Sequence, residues 1–540
     1  MLDKLIKYSL LGLICMGAMF FSSFHFVDSQ IVPKWIITIA GIILLSIYLI
    51  IIISVNPVIT HKIPQRHILR LISITILFQS LYGILQYFNI CAPTNAFPVM
   101  GSFDNPAGFA ASLCAGLPFC ILGIIEAKGK MRWVLGFIPL LTTIAVLLSE
   151  SRSGIFSTLI LFICLGIRYL RISDKIKWVT FPIILIIAIT SLYYLKKDSA
   201  LGRLLVWECS ISMLKSNLLT GYGTGGFEAN YMDYQANYFK NNPQSSYTML
   251  ADNIQYPFCE YLRILVDYGL IGLLLLGGWI AYLVFCFYKY PSKNGVFALL
   301  CWITIGSFSL FSYPLMYPFV WLVLFYSTFI LVKNHVYLIT KKIPVKWLKI
   351  GALLSLFFLS LSGIKLYERV KAEIEWAHLA KFSYSEDKKY VLSQYNKIEK
   401  ELGKDRYFLY NYAAELYQAG LYGESLVTAE KCRTLWADYD LEILLGQIKE
   451  ELNQNEKAVN HYRTASYMCP NRFMPLYHIV LVLNKLEKNE EAQRVAKIIM
   501  DKPIKIPSST IDQIKKEMNQ LLIQSQSRKP SSPFLMDNFL

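Results

Sequence analysis

Four residues of the 540-residue chain have the type and setting to act on a charged substrate. Arg152 lies in Ser149-Glu150-Ser151-Arg152-Ser153-Gly154, a tight link between two long apolar runs. A guanidinium there can snorkel to lipid headgroups. Alternatively, its planar fork can grip phosphate oxygens and stabilise a departing diphosphate in a partly dehydrated cleft. Arg203 opens an apolar stripe at helical spacing, Leu204, Trp207, Ile211, Leu214 and Leu218, which predicts a helix lying on a membrane surface. Arg203 is then either a second phosphate ligand or a solvated helix-end charge. Asp252, beside Asn253, stands shortly before the apolar stretch Leu265 to Leu276. A carboxylate in that place can take the proton of an attacking hydroxyl, or it can cap the following helix. Arg263 is a weaker phosphate candidate and equally a positive anchor for the next span.

Other motifs suggest less chemistry. Gly221-Tyr222-Gly223-Thr224-Gly225-Gly226 satisfies GxGxxG in form. A dinucleotide site needs a preceding strand and a βαβ crossover, so glycines in a tight turn explain the motif better. Tyr231, Tyr234, Tyr238, Tyr247, Tyr256 and Tyr261 can stack on sugars, although an interfacial aromatic belt accounts for most of them. The eleven cysteines form no CxxC pair and lie mostly in apolar runs. No metal, redox centre or cofactor is expected.

These residues are positioned by membrane spans. The chain is 55% hydrophobic and 17% charged, with its charges clustered between apolar runs. About eleven runs approach the roughly 20 residues needed to cross a bilayer. They lie near Leu10 to Phe24, Trp35 to Val55, Ile68 to Phe88, Ala107 to Ile125, Trp133 to Leu148, Ile155 to Leu170, Trp178 to Leu195, Ile264 to Phe287, Val296 to Phe311, Phe319 to Val332 and Leu348 to Ile364. The first reads as a retained span, since no small-residue cleavage site is evident. Alternate links are rich in Lys and Arg, as in Lys128, Lys130 and Arg132, or nearly bare, as from Asn89 to Asn105. By the positive-inside rule the bare side faces outward. The N-terminus is then cytoplasmic, whereas the loop 196–263 and everything after Ile364 lie outside. The net charge of +16 therefore reads as topology, and no nucleic-acid partner is expected.

After Ile364 a soluble helical pattern recurs at about 34 residues, the period of tetratricopeptide repeats. Tyr422-Gly423-Glu424-Ser425-Leu426, Gln454-Asn455-Glu456-Lys457-Ala458 and Lys488-Asn489-Glu490-Glu491-Ala492 correspond, while Ala413, Ala429, Ala465 and Ala496 suit close helix contacts. Such a stack either stabilises the chain or docks a protein partner on its concave face. The reading is all-α: a polytopic bundle over 1–364, a tetratricopeptide-like solenoid over 365–523 and a disordered tail over 524–540.

Gly101-Ser102-Phe103-Asp104-Asn105-Pro106-Ala107-Gly108, Ser151-Arg152-Ser153-Gly154, Arg203 with Trp207, Gly221-Tyr222-Gly223, and Asp252-Asn253 before Tyr268-Gly269-Leu270-Ile271-Gly272 occur in order. Together they resemble the O-antigen ligase and polymerase superfamily, which includes bacterial protein O-oligosaccharyltransferases. The resemblance implies metal-independent, inverting glycan transfer from undecaprenyl diphosphate to lipid A core, or another hydroxyl acceptor, on the periplasmic side of the inner membrane. It implies that Arg152 and Arg203 hold the diphosphate. Family ligases carry histidine as the presumed base, where this chain has Asp252; either Asp252 takes that role, or Glu260 does, or the loop aligns differently. Repeat-unit polymerisation and protein glycosylation share the donor. A lipid or glycan transporter would more often place ionisable groups near the bilayer midplane, and a noncatalytic scaffold leaves Arg152, Arg203 and Asp252 unexplained.

Overall fold

A computed structural model describes residues 2–55, 65–93, 97–195, 197–340, 344–381 and 387–527. These residues are all-α, with no strand among them. The helices begin with α1 (Leu2–Phe20), α2 (Ile31–Val55), α3 (Gln65–Tyr87), α4 (Pro106–Glu126), α5 (Lys130–Leu148), α6 (Arg152–Tyr169) and α7 (Asp174–Leu195). After α8 (Lys197–Leu214) and α9 (Gly226–Asn241) come α10 (Glu260–Lys289), α11 (Lys293–Ser309), α12 (Pro318–Thr340), α13 (Val345–Lys381) and α14 (Lys388–Leu402). The series ends with α15 (Arg406–Gln418), α16 (Tyr422–Arg433), α17 (Tyr439–Glu451), α18 (Asn455–Met468), α19 (Met474–Lys485), α20 (Asn489–Asp501) and α21 (Ser509–Ser527).

The chain forms two compact units. The first comprises Met1–Lys196, Phe258–Ser385 and Gln394–Leu402; the second comprises Lys197–Pro257, Glu386–Ser393 and Gly403–Leu540. In the first, α4 is central and packs against α3, α5, α6, α11 and α12. Its small residues permit this crowding, because helices in lipid associate through close packing rather than hydrophobic exclusion. A Cβ at Gly116 would lie 2.6 Å from Ile76, and one at Gly154 of α6 would lie 2.7 Å from Ala110 of α4. The outer helices instead present large apolar side chains outward, such as Trp133 on α5 and Leu274 and Leu275 on α10. That inversion of the usual exposed surface marks a multi-pass membrane bundle.

Among the described residues, eight helices are long and apolar enough to cross a membrane: α2, α3, α4, α5, α6, α10, α12 and α13. This differs from the expected eleven, although all eleven runs fall in helices. The described apolar part of α1, Ile6–Phe20, and the 17-residue α11 are shorter than the rest. Only part of α7 has described side chains. The division at 364 falls inside the continuous α13.

In the second unit α15 to α21 pack each against the next. Gly420, Asn453 and Glu487 follow α15, α17 and α19 in the left-handed region, with φ of 76°, 58° and 58°. The same turn thus recurs after 33 and 34 residues and builds three helical hairpins. Ala413, Ala429, Ala465 and Ala496 are fully buried where paired helices meet. Because a glutamate in this conformation is strained, Glu487→Gly is expected to raise stability by about 0.5–1 kcal/mol. A higher denaturation midpoint would verify this. The last helix reaches Ser527; the remainder of the expected tail lies outside the described residues, as do Lys62, Lys341 and Lys342 of the basic links between spans.

Candidate functional site

At one end of the first unit, several links between helices meet in a hydrogen-bonded polar layer. Asn105 caps α4: its Oδ1 accepts from Gly108 N at 3.0 Å, while its Nδ2 donates to Asp104 Oδ2 at 2.8 Å and Tyr317 OH at 3.1 Å. Gln86 pins the preceding turn by accepting from Met100 N and Gly101 N and donating to Gly101 O. Lys34, buried in α2, donates to Gln30 O at 2.9 Å and Ser102 O at 2.7 Å. Burial raises the Asp104 carboxyl above its ordinary range, an effect that the bonds from Asn105 and Tyr317 oppose. The segment Gly101 to Gly108 is therefore the framework of this end. A Cβ at Gly108 would lie 2.4 Å from the Tyr317 ring, and Gly101, at φ 58°, has no space for one beside Gln79 and Phe109. Gly108→Ala is expected to cost about 1–3 kcal/mol through overpacking, read as a lower melting temperature of the detergent-solubilised protein.

The same end carries two of the sequence candidates. Ser151 caps α6, placing Arg152 in its first turn, and Ser153 Oγ donates to Phe311 O at 3.1 Å. The link turns through Glu150 at φ 52°, a strained conformation of the kind that clusters at functional sites. Arg152 is half-buried at a helix N-terminus, where backbone amides and guanidinium all favour an anion. Arg263 forms a looser pair along α10, with Nε 3.8 Å from Asp267 Oδ2. The carboxylate of Glu260 is buried and accepts from Leu315 N at 3.0 Å, so one oxygen of this alternative base is committed to structure.

Arg203 and Asp252 belong to the second unit. Arg203 is half-buried on α8, and Trp207 Nε1 one turn later donates to Pro257 O at 3.0 Å. The face of α8 packed on α9 is Leu205, Val206, Cys209 and Met213, whereas Leu204 and Ile211 of the predicted stripe are exposed. Asp252 does not cap the next helix: α10 starts at Glu260, after Cys259. Its Oδ1 instead accepts from Asn253 N at 2.8 Å and pairs with Arg472, whose Nη2 is 3.2 Å away. The side chain is 60% exposed, and Oδ2 has no hydrogen bond among the described residues, leaving it open to solvent or a substrate.

The segment around Asp252 is held by the repeats. Asn471 Nδ2 donates to Ala251 O at 2.6 Å, and Gln235 Nε2 bridges Asp252 O and Met468 O. Asn253 Nδ2 donates to Asp438 Oδ2 at 2.7 Å, while the other oxygen of Asp438 caps α17. A second anchor joins Arg433 to Asp233 and Glu442, with Glu442 also 2.7 Å from His461. Burial pushes the Glu442 carboxyl upward, but the bond from His461 and the charge of Arg433 outweigh it, and the net shift is downward. A carboxyl lowered in the folded state adds stability above its unfolded range near pH 4.5, and that contribution is lost as pH falls through the folded value. Glu442→Gln is accordingly expected to lower the melting temperature at pH 7 and to reduce its decline under acid, checked by thermal melts from pH 7 to 3.

The glycine motif forms a turn, with Gly221, Gly223 and Gly225 at φ of 68°, 86° and 78° ahead of α9. No strand precedes it among the described residues, and the turn fits a loop rather than a dinucleotide site. Tyr231 departs from the aromatic-belt reading: it is fully buried, stacks on Phe227 and donates to Gln235 Oε1 at 2.7 Å. Sequence reasoning also passed over Lys34, Asp438 and Arg472. Lys34 was detectable as an ionisable residue at the edge of an apolar run; the others act through contacts distant in sequence.

The fold and its polar end define a multi-pass membrane protein whose ionisable candidates cluster at helix ends and in an attached helical unit. Residues 135–277 match the family model described as O-Antigen ligase, and this match supports the O-antigen ligase superfamily for that segment. Members of that family are membrane enzymes that act as ligases, polymerases or oligosaccharyltransferases. No curated protein matches the chain.

Proposed function

We propose that the protein transfers a glycan from undecaprenyl diphosphate to a hydroxyl acceptor, foremost lipid A core, at the periplasmic face of the bacterial inner membrane. The observation that carries this reading is that the O-antigen ligase match encloses Arg152, Arg203, Asp252 and Arg263. The acceptor oxygen attacks the anomeric carbon of the lipid-linked sugar as the bond to the diphosphate oxygen breaks. That electron pair leaves with the diphosphate, the acceptor proton passes to Asp252, and the anomeric centre inverts. Arg152 and Arg203 neutralise the charge growing on the leaving group, a role suited to fixed guanidinium forks. No metal or cofactor takes part. Asp252 supports its assignment by having an open carboxylate oxygen on a segment immobilised by the repeats. The repeats, read as tetratricopeptide units, orient the acceptor loop and offer a surface for a protein partner.

Complementation of a deletion strain tests this reading. Arg203→Ala is expected to leave protein levels unchanged, reduce capped lipopolysaccharide at least tenfold and raise the undecaprenyl-linked donor. Loss confined to glycoproteins would move the acceptor to protein, and caps of a single unit would indicate polymerisation. Unaltered glycans would remove Arg203 from the site.

A further inference from the structure

We propose that the opposite end of the helix bundle binds the phosphate-bearing headgroup of an acidic membrane lipid, in a cavity framed by α3, α4 and α5. The cavity has a volume of about 600 Å³ and lies at the C-terminal end of α4, away from Asn105. Arg66, Arg70 and Lys128 line it together with one acid, Glu126. Arg66 and Arg70 are four residues apart on α3 and so share a face. Three cations against one carboxylate leave the lining positive, and guanidinium groups match phosphate oxygens in shape as well as charge.

A further observation points to an anion: α5 begins after Gly129, at φ 59°, with no side-chain cap. Its first amides are thus available to an acceptor, and the helix dipole favours negative charge there. Charge-based topology alone accounts for basic residues at this end, but it does not require them to line one cavity beside an uncapped helix start.

The walls identify the source of the phosphate as a lipid. Met131 and Leu135 line the same cavity, and Met131 is exposed, as are Trp133 and Val134 beside it on the outside of the bundle. A headgroup bound by Arg66, Arg70 and Lys128 places its glycerol and first methylenes along Met131 and Leu135. Basic pockets between membrane helices are suited to this class of ligand.

The test uses the full-length protein in neutral detergent with phosphatidylglycerol, phosphatidylcholine or inorganic phosphate as probe. Phosphatidylglycerol is expected to raise the melting temperature by several degrees, about as mass action on one site requires; the other two probes are expected to leave it unchanged. Arg66→Gln with Arg70→Gln should weaken the apparent affinity about thirtyfold, given the usual contribution of each cation near a membrane surface. Glu126→Gln should strengthen it, so the two variants move in opposite directions and a folding defect cannot mimic both. An equal shift from inorganic phosphate would overturn the assignment to a lipid. No preference for phosphatidylglycerol over phosphatidylcholine, or an unchanged affinity in the double arginine variant, would overturn the site.

Discussion

Arg152→Ala is expected to lower glycan transfer by about 10² to 10³-fold while the protein still inserts and folds. The size follows from removing one preorganised charge that stabilises a developing anion in a partly dehydrated site, which typically costs about 3–4 kcal/mol of transition-state stabilisation. Folding should survive because α6 is capped by Ser151 and anchored by Ser153 on Phe311, neither of which needs the guanidinium. Arg152→Lys keeps the charge but loses the bidentate fork, so it should recover only a small part of the rate. Initial rates of undecaprenyl diphosphate release in proteoliposomes would check both. Full activity in Arg152→Ala would return this residue to headgroup anchoring.

Asp252→Asn should also be severe, because it removes the proton acceptor while preserving size and the bond from Asn253. A positioned general base typically contributes about 10² to 10⁴-fold. Arg472→Ala separates catalysis from positioning. It breaks a pair whose partners are 38% and 60% exposed, and its direct cost in stability should be small. If Asp252 acts as base and Arg472 orients it, Asp252→Asn lowers kcat across the accessible pH range. Arg472→Ala then gives a milder loss of kcat, which Arg472→Lys recovers in part. Initial rates of the three variants distinguish these effects. Equal losses in Asp252→Asn and Arg472→Ala would reduce Asp252 to a loop anchor.

Much of the fold was legible because membrane helices announce themselves through composition. Long apolar runs mark the bundle, and the 34-residue periodicity marks the stacked hairpins, where Gly420, Asn453 and Glu487 repeat one turn. Span length was less legible: α11 is buried among α4, α6 and α12, so its neighbours rather than its hydropathy determine its place. The anchoring of the loop was illegible for a different reason. Asp438 and Arg472 look like ordinary surface charges of a soluble repeat, and their contacts with Asn253 and Asp252 cross more than 180 residues of chain. Similarly, Gly108 belongs to a motif visible in the sequence, but the reason for a glycine there, the Tyr317 ring packed against it, is not.

The most direct test of the central claim is reconstitution of the purified protein with an undecaprenyl diphosphate-linked glycan and lipid A core in one bilayer, following both products over time. The account predicts capped lipid and undecaprenyl diphosphate formed in equal amounts, with the anomeric configuration inverted and both absent for Asp252→Asn. Wild-type protein that leaves the donor intact, or that moves it across the bilayer without breaking the sugar–diphosphate bond, would contradict the account.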